Sequence, residues 1–107
     1  MAERMEKIKQ EMMHIAAEVI ERESNRLALI SVTDAEISPD LKHATFFVSV
    51  LPDDKAETAV DFCNRHAGDV RDEIKKRTNT HHVPFVKFAF DKGEKNRQRI
   101  DQLLLES

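Results

Sequence analysis

Apolar residues recur at helical spacing through the N-terminal part of the chain. Five of them follow one another at steps of three and four positions, with charged residues between them: Met5, Ile8, Met12, Ile15 and Val19. This spacing gathers the apolar side chains on one stripe of a helix, which we predict to end near Glu23. We expect the stripe to pack on the rest of the domain.

Two stretches rich in branched and aromatic residues come next, and both are typical of β-strands. The first, "LALISVTDAEI", alternates imperfectly around Asp34 and Ala35, which predicts a bulge there. The second, "ATFFVSVL", alternates cleanly and puts one set of residues on a single face: Ala44, Phe46, Val48 and Val50. Since the intervening "SPDLKH" has turn chemistry, we predict a hairpin.

The segment after "PDD" carries an apolar stripe that continues through a glycine. Its members keep steps of three and four positions: Val60, Cys63, Ala67, Val70 and Ile74. Gly68 interrupts it, at a cost of about 1 kcal/mol relative to alanine inside a helix. Asp69 and Asp72 suit the first turn of a new helix, and the run from Lys75 to Arg77 suits its last turn. We therefore predict two short helices joined at a kink.

A last strand, "FVKFAFD", follows Val83 and Pro84, where a proline is tolerated because it precedes the strand. The order helix, strand, strand, helix, helix, strand favours an α+β fold with the helices on one face of a small three-stranded sheet. At 107 residues we expect one domain spanning residues 1–107, with a short C-terminal tail from about residue 92. In this tail, Ile100, Leu103 and Leu104 could form a short amphipathic turn or helix.

Composition excludes two broad classes of protein. With 40 % hydrophobic and 35 % charged residues, the chain is too apolar for disorder and too polar for a membrane protein. No apolar run approaches the roughly 18 residues that span a bilayer, and the N-terminal helix lacks the core of a signal peptide. The single cysteine, Cys63, gives no disulfide framework and fits a reducing compartment. We expect a cytoplasmic protein.

Charge is distributed unevenly along the chain. Residues 1–64 hold 7 Lys and Arg against 13 Asp and Glu, whereas residues 65–99 hold 10 against 5. An acidic half joined to a basic half is typical of a protein that presents one face to a polyanion. An ordinary patchy surface explains the same numbers, and charge alone favours neither reading.

Several short motifs, taken in order, resemble ribosome-binding factor A, the bacterial small-subunit assembly factor. The resemblance covers about residues 3–105, and none of its motifs is a catalytic signature. The most specific are "VTDAEISPDL…A…VSV" from Val32 to Val50, then Val83-Pro84, Phe90-Asp91, Arg99-Ile100-Asp101 and Leu103-Leu104. The resemblance implies a non-enzymatic protein that holds immature ribosomal RNA during late maturation and end processing.

It also implies a type II KH-like domain, whose kinked helix pair carries an Ala-x-Gly sequence in place of a GxxG phosphate loop. The corresponding residues here are His66, Ala67 and Gly68, which the resemblance assigns to the geometry of the kink. The chain departs from that pattern in two places: His66 replaces the first alanine, and Asp69 replaces an apolar residue. Both departures make the kink bulkier and more polar, which suggests altered RNA contacts.

Basic residues around the kink and the second helix are the main candidates for RNA contact: Arg65, Arg71, Lys75, Lys76 and Arg77. Lys42, His81 and His82 are secondary candidates. The simpler alternative is that Lys75 to Arg77 only complement the C-terminal end of their helix. Asp69, Asp72 and Glu73 lie among these cations, so we expect a confined patch and not a broad stripe.

Two further possibilities carry less weight. Cys63 and His66 could share a helix face and bind zinc with His81 and His82, but a lone cysteine on an apolar stripe is more typical of a buried hydrophobe, so we expect no metal. Phe47 and Phe85 could stack on bases, with Lys87 nearby, or could simply pair across the sheet.

No catalytic motif is present, and we expect neither an enzyme nor a cofactor nor a small-molecule substrate. The expected partners are the small ribosomal subunit and its RNA precursor, bound by a monomer that does not contact membranes. A protein-interaction module of KH-like shape, without direct RNA contact, is the alternative.

Overall fold

The computed structural model describes residues 2–24, 28–78 and 83–92. Over these residues the chain forms helix α1 (Ala2–Glu23), strands β1 (Leu29–Ile37) and β2 (His43–Leu51), a 3₁₀ turn (Asp53–Lys55), helices α2 (Ala56–Arg65) and α3 (Ala67–Arg77), and strand β3 (Phe85–Phe90). This is the predicted order of elements. The apolar residues Ile100, Leu103 and Leu104, together with His81 and His82, lie outside the described residues.

The three strands form one mixed sheet in the order β1-β2-β3. β1 pairs with β2 in the antiparallel sense, as the hairpin prediction required, and β2 pairs with β3 in the parallel sense. The register between β1 and β2 shifts between Val32 and Asp34, so Thr33 is the extra residue of a bulge. The predicted bulge is therefore present, and it lies one residue earlier than the imperfect alternation around Asp34 and Ala35 indicated. The hydroxyl of Thr33 donates to the Phe47 carbonyl and to the Asp91 carboxylate.

The turn between β1 and β2 is closed by side-chain hydrogen bonds. The Ser38 hydroxyl donates to Asp40 at 2.6 Å and accepts from the amides of Lys42 and His43. The hydrogen bond from Ser38 holds the pKa of the Asp40 carboxyl below its usual value. Leu41 has a φ of 62°, a left-handed conformation that leucine rarely adopts, so the turn carries some backbone strain.

The helices pack on one face of the sheet, as predicted. α1 contacts β1 and α3, and α2 contacts β3 and β2. Between them lies the core, whose largest buried side chains include Met12, Ile15, Val19, Phe46, Val70 and Phe88. Burial alternates along β2 as its sequence predicted, and the buried residues are Ala44, Phe46, Val48 and Val50. The opposite face of the sheet carries exposed apolar side chains, among them Leu29, Leu51 and Phe85.

The predicted kink lies at His66, the single residue between α2 and α3. Its amide donates to the Cys63 carbonyl at 3.0 Å, a three-residue step that ends α2, and its own carbonyl accepts from Val70 at 3.1 Å to begin α3. Gly68 lies in the first turn of α3, where an added Cβ would have no neighbour within 4 Å. The bend is therefore made at His66, and the packing of the described residues gives no steric reason for glycine at position 68.

Asn64, near the end of α2, binds the outer edge of β3. Its amide nitrogen donates to the Phe88 carbonyl at 3.1 Å, and its amide oxygen accepts from the Phe88 backbone N–H at 2.8 Å. The Asn64 side chain thus makes the two backbone hydrogen bonds that a neighbouring strand would make at Phe88, and it covers the outer edge of β3 at this point. None of the described helices is both long and apolar enough to cross a membrane.

Candidate nucleic-acid interface

The C-terminal turn of α3 presents two lysines to solvent. Lys75 and Lys76 are both exposed, and the apolar positions of the same helix, Val70 and Ile74, face the core. Lys76 has 74 % of its side chain exposed and lies 4.0 Å from the Glu73 carboxylate, at the outer limit of an ion pair. Lys75 forms no ion pair with a described residue. These two cations are therefore available to a ligand.

Arg77, the third residue of the basic run, is bound within the fold. It pairs with Glu18 on α1 and, at 3.0 Å, with Glu73 one turn earlier on α3. The hydrogen bond from Arg77 holds the pKa of the Glu18 carboxyl below its usual value near 4.5. Because two carboxylates offset the charge of Arg77, this residue joins α1 to α3 more than it adds to a basic surface.

Replacing Arg77 with glutamine is expected to lower stability in a pH-dependent way. Since the folded-state pKa of Glu18 is lowered, its interaction stabilises the protein above the unfolded pKa and is lost as the pH falls through the folded value. The difference in Tm between wild type and Arg77→Gln should be largest near neutral pH and should shrink as the pH falls below the unfolded-state pKa of Glu18. Thermal melts across this range measure it, with Lys76→Gln as the control. A difference independent of pH would contradict the assignment.

Arg71 reaches from α3 to the start of β3. Its Nε donates to the Pro84 carbonyl at 3.3 Å, and its Nη2 donates to the Val83 carbonyl at 3.4 Å. The guanidinium lies over the ring of Phe85, with its carbon 4.9 Å from the ring centroid. On β2, the neighbour of Phe85 is His43, whose ring centroid is 5.9 Å away. The structure therefore brings a cation and two rings together at this corner of the sheet.

Further cations lie close in the chain to the residues of this corner. Lys75 lies one helical turn beyond Arg71, and Lys87 lies two residues beyond Phe85 on the same face of β3. The carbonyl of Lys42, the residue before His43, accepts from the Phe85 amide at 2.8 Å. All of these side chains are exposed. We name the group the basic-aromatic ridge: Lys42, His43, Arg71, Lys75, Phe85 and Lys87.

The ridge unites three of the predicted RNA contacts, Lys42, Arg71 and Lys75. It adds His43, which carries no signal in the sequence beyond its place after the turn. Phe47 is not part of it. That residue lies opposite Asp34 on β1 and Ala89 on β3, four positions along β2 from His43, which is about 13 Å. Phe47 and Phe85 therefore do not form the cross-strand pair that the sequence allowed.

Arg65 lies on a different side of the helix pair. It shares a shallow groove with Lys55, Thr58 and Phe62 of the preceding turns and with Ser24 and Ala28. Its groove also includes Ile30, which pairs with Val50 near the end of β2, whereas Phe85 of the ridge pairs with His43 at the start of β2, about 23 Å away. Arg65 is exposed, but the structure separates it from the ridge.

The two unusual residues at the kink bind each other. The His66 Nδ1 lies 2.9 Å from the Asp69 carboxylate, and the imidazole also contacts the Phe62 ring at a centroid distance of 4.7 Å. Asp69 thus places a carboxylate in the first turn of α3, where the helix dipole would otherwise favour a phosphate. The spacing of three residues was the sequence signal for this pair. Ala67, between them, is partly buried against the core.

Cys63 belongs to the core, as its place on the apolar stripe indicated. Its side chain is buried, and burial raises the pKa of its thiol to about 11, which disfavours the thiolate that a metal needs. No cluster of three or more His, Cys, Asp or Glu side chains suited to a metal ion occurs in the described part of the chain. His81 and His82, the other ligands considered, lie outside that part.

Comparison with known proteins decides the family. The model of the family described as Ribosome-binding factor A matches residues 4–104. The chain belongs to this family. A relative named ribosome-binding factor A, from Thermodesulfovibrio yellowstonii, is 42 % identical over 81 residues, which is 76 % of this chain and 69 % of that protein.

A crystal structure and a homology model of family members share the fold. The crystal structure of ribosome-binding factor A from Thermus thermophilus has a TM-score of 0.71 at 16 % identity, covering 78 % of this chain and 91 % of that one. A homology model of the Thermus thermophilus factor, fitted into a cryo-EM map of a 30S complex, has a TM-score of 0.63 at 21 % identity and covers 75 % of this chain and 87 % of the other. The predicted α+β, type II KH-like fold is confirmed.

Proposed function

We propose that this protein is a non-enzymatic, RNA-binding assembly factor that associates in the cytoplasm with the small ribosomal subunit or its precursor. It assists late maturation and ribosomal RNA processing. Membership of the family supports the role, and the Thermus thermophilus relative fitted into a 30S complex supports the partner. The observation on this chain that carries the proposal is the basic-aromatic ridge, where four cations and two rings share one exposed surface.

The mechanism requires no covalent chemistry. A monomer that binds an immature conformation of ribosomal RNA more tightly than the mature one shifts the RNA population toward the immature conformation. Maturation then weakens the binding site on the RNA, and the protein leaves. Phosphate contacts from Lys76 and from the cations of the ridge supply the affinity. Arg65 makes a separate contact on the kink side, and Arg77 acts through the position of α3. His81 and His82 are further candidates for RNA contact by their residue type.

A protein-interaction module is the second candidate, and one observation favours it. Leu29 and Leu51 are opposite each other in the register of β1 and β2, and they are 64 % and 61 % exposed. Together they form a small exposed apolar patch on the sheet face, and such patches suit a contact with another protein. Salt distinguishes the two functions, because an apolar interface is much less sensitive to salt than phosphate binding.

The experiment is co-sedimentation of the purified protein with immature and mature small subunits at low and at high salt. We expect binding that prefers the immature particles and weakens steeply as salt rises. Binding that persists unchanged at high salt would support the protein-interaction module instead. A folded protein that binds neither particle at low salt would contradict both the proposed partner and the proposed role.

A further inference from the structure

Phe85 is the most apolar residue on the ridge. It is 63 % exposed although it lies on the same strand as the fully buried Phe88, and its backbone pairs directly with β2. Leu29 and Leu51 are equally exposed, but neither is stacked against a cation or a ring of the described residues. Phe85 has both, in Arg71 and His43. An exposed ring with planar polar neighbours differs in chemistry from a plain apolar patch.

The surroundings of Phe85 hold it in place before any ligand arrives. Its amide is bound by the Lys42 carbonyl, and the preceding Pro84 is buried in the fold. Arg71 is tied to the two carbonyls just before Phe85, so its guanidinium stays over the ring. A fixed ring loses little conformational entropy when a planar group stacks on it. The site therefore suits stacking better than a mobile aromatic side chain would.

The cations around the ring indicate what the planar group is attached to. Lys87 lies two residues beyond Phe85 on the same face of β3, and the Lys42 carbonyl accepts from the Phe85 amide. Lys75 lies one helical turn beyond Arg71, whose guanidinium is over the ring. A nucleotide offers a flat base joined to a phosphate, and this pair matches a ring bordered by cations. In duplex RNA the bases stack on one another inside the helix, so only an unpaired base can reach Phe85.

We propose that Phe85, together with Arg71 and His43, is a stacking site for an unpaired base, and that it directs the ridge to single-stranded RNA. This inference rests on the proposed RNA-binding function and adds the class of RNA. Phosphate contacts give affinity for either form of RNA, whereas the ring discriminates between them. The preference for single strands therefore resides in one side chain.

The test uses the full chain and a short oligouridine strand with one central 2-aminopurine, free or annealed to its complement. Stacking quenches 2-aminopurine, so wild type should quench the single strand and bind it more tightly than the duplex. Phe85→Ala should lose about tenfold or more in affinity for the single strand, lose the quenching, and keep its duplex affinity and its salt dependence. Phe85→Tyr should restore both, and Leu51→Ala, an equally exposed apolar residue, should behave as wild type.

Two results would overturn the stacking site, and they are distinguishable. If wild type binds RNA with strong salt dependence but Phe85→Ala binds the single strand equally well, the proposed function stands and the stacking site is wrong. If folded wild type binds neither form of RNA at low salt, the RNA-binding function fails and the stacking site fails with it. Circular dichroism of each variant establishes that the proteins compared are folded.

Discussion

Reversing both lysine charges at the end of α3 is expected to remove most binding to small subunits. In Lys75→Glu/Lys76→Glu, two phosphate contacts are lost and two carboxylates repel the RNA backbone. Since hydrogen bonds between charged groups contribute about 1.5–3 kcal/mol each, affinity should fall on the order of 10²-fold or more. The slope of log affinity against log salt should decrease by about 2, because two fewer counterions are released. Co-sedimentation or filter binding over a salt series measures both quantities.

A matched control has the same charge change at a distant place. Arg4 and Lys7 are exposed on α1, and Arg4 lies about 21 Å along that helix from Glu18, the residue that meets Arg77. Arg4→Glu/Lys7→Glu should retain binding apart from a general electrostatic decrease. Equal losses in the two double variants would show that net charge, and not the end of α3, governs association. Thermal melts are needed because glutamates at a helix C-terminus lower its stability slightly.

Backbone periodicity explains why so much of the fold could be predicted from the sequence. The alternation of β2 and the stripe of α1 follow from geometry within a few residues, and burial in the structure matches both. The bulge at Thr33 and the kink at His66 also left local signals, an interrupted alternation and a glycine beside new start residues. Gly68 nevertheless marked the kink without causing it, since nothing near it would obstruct a side chain.

The candidate site was harder to predict from the sequence, because its contacts join residues that are far apart in the chain. Arg71 and Arg77 look alike in sequence, yet one lies over Phe85 and the other pairs with Glu18. Which of them adds to a basic surface depends on how α3 crosses the sheet and α1, and no local pattern encodes that. The pair of His66 and Asp69 is different: its spacing of three residues is visible in the sequence and explains both departures together.

Removing the ring of Phe88 is expected to lower the free energy of unfolding by several kcal/mol. Phe88 is 1 % exposed, its ring lies 5.6 Å from that of Phe46 across the β2–β3 pair, and its backbone carries both bonds from Asn64. Truncating a buried phenylalanine costs about 3–5 kcal/mol, which includes the cavity left behind. Natural domains are stable by about 5–15 kcal/mol, so Phe88→Ala would use a large share of that margin.

Phe85→Ala is the matched control, because it removes the same side chain from the same strand on the opposite face. Because 63 % of Phe85 is exposed, the substitution should lower the free energy of unfolding by at most about 1 kcal/mol, chiefly through the lost contact with Arg71. Urea unfolding of both variants measures the difference in free energy. Equal costs would mean that β3 contributes backbone pairing and little core. The expected gap of several kcal/mol would instead show that one strand serves two purposes, holding the core through Phe88 while it leaves Phe85 free for a ligand.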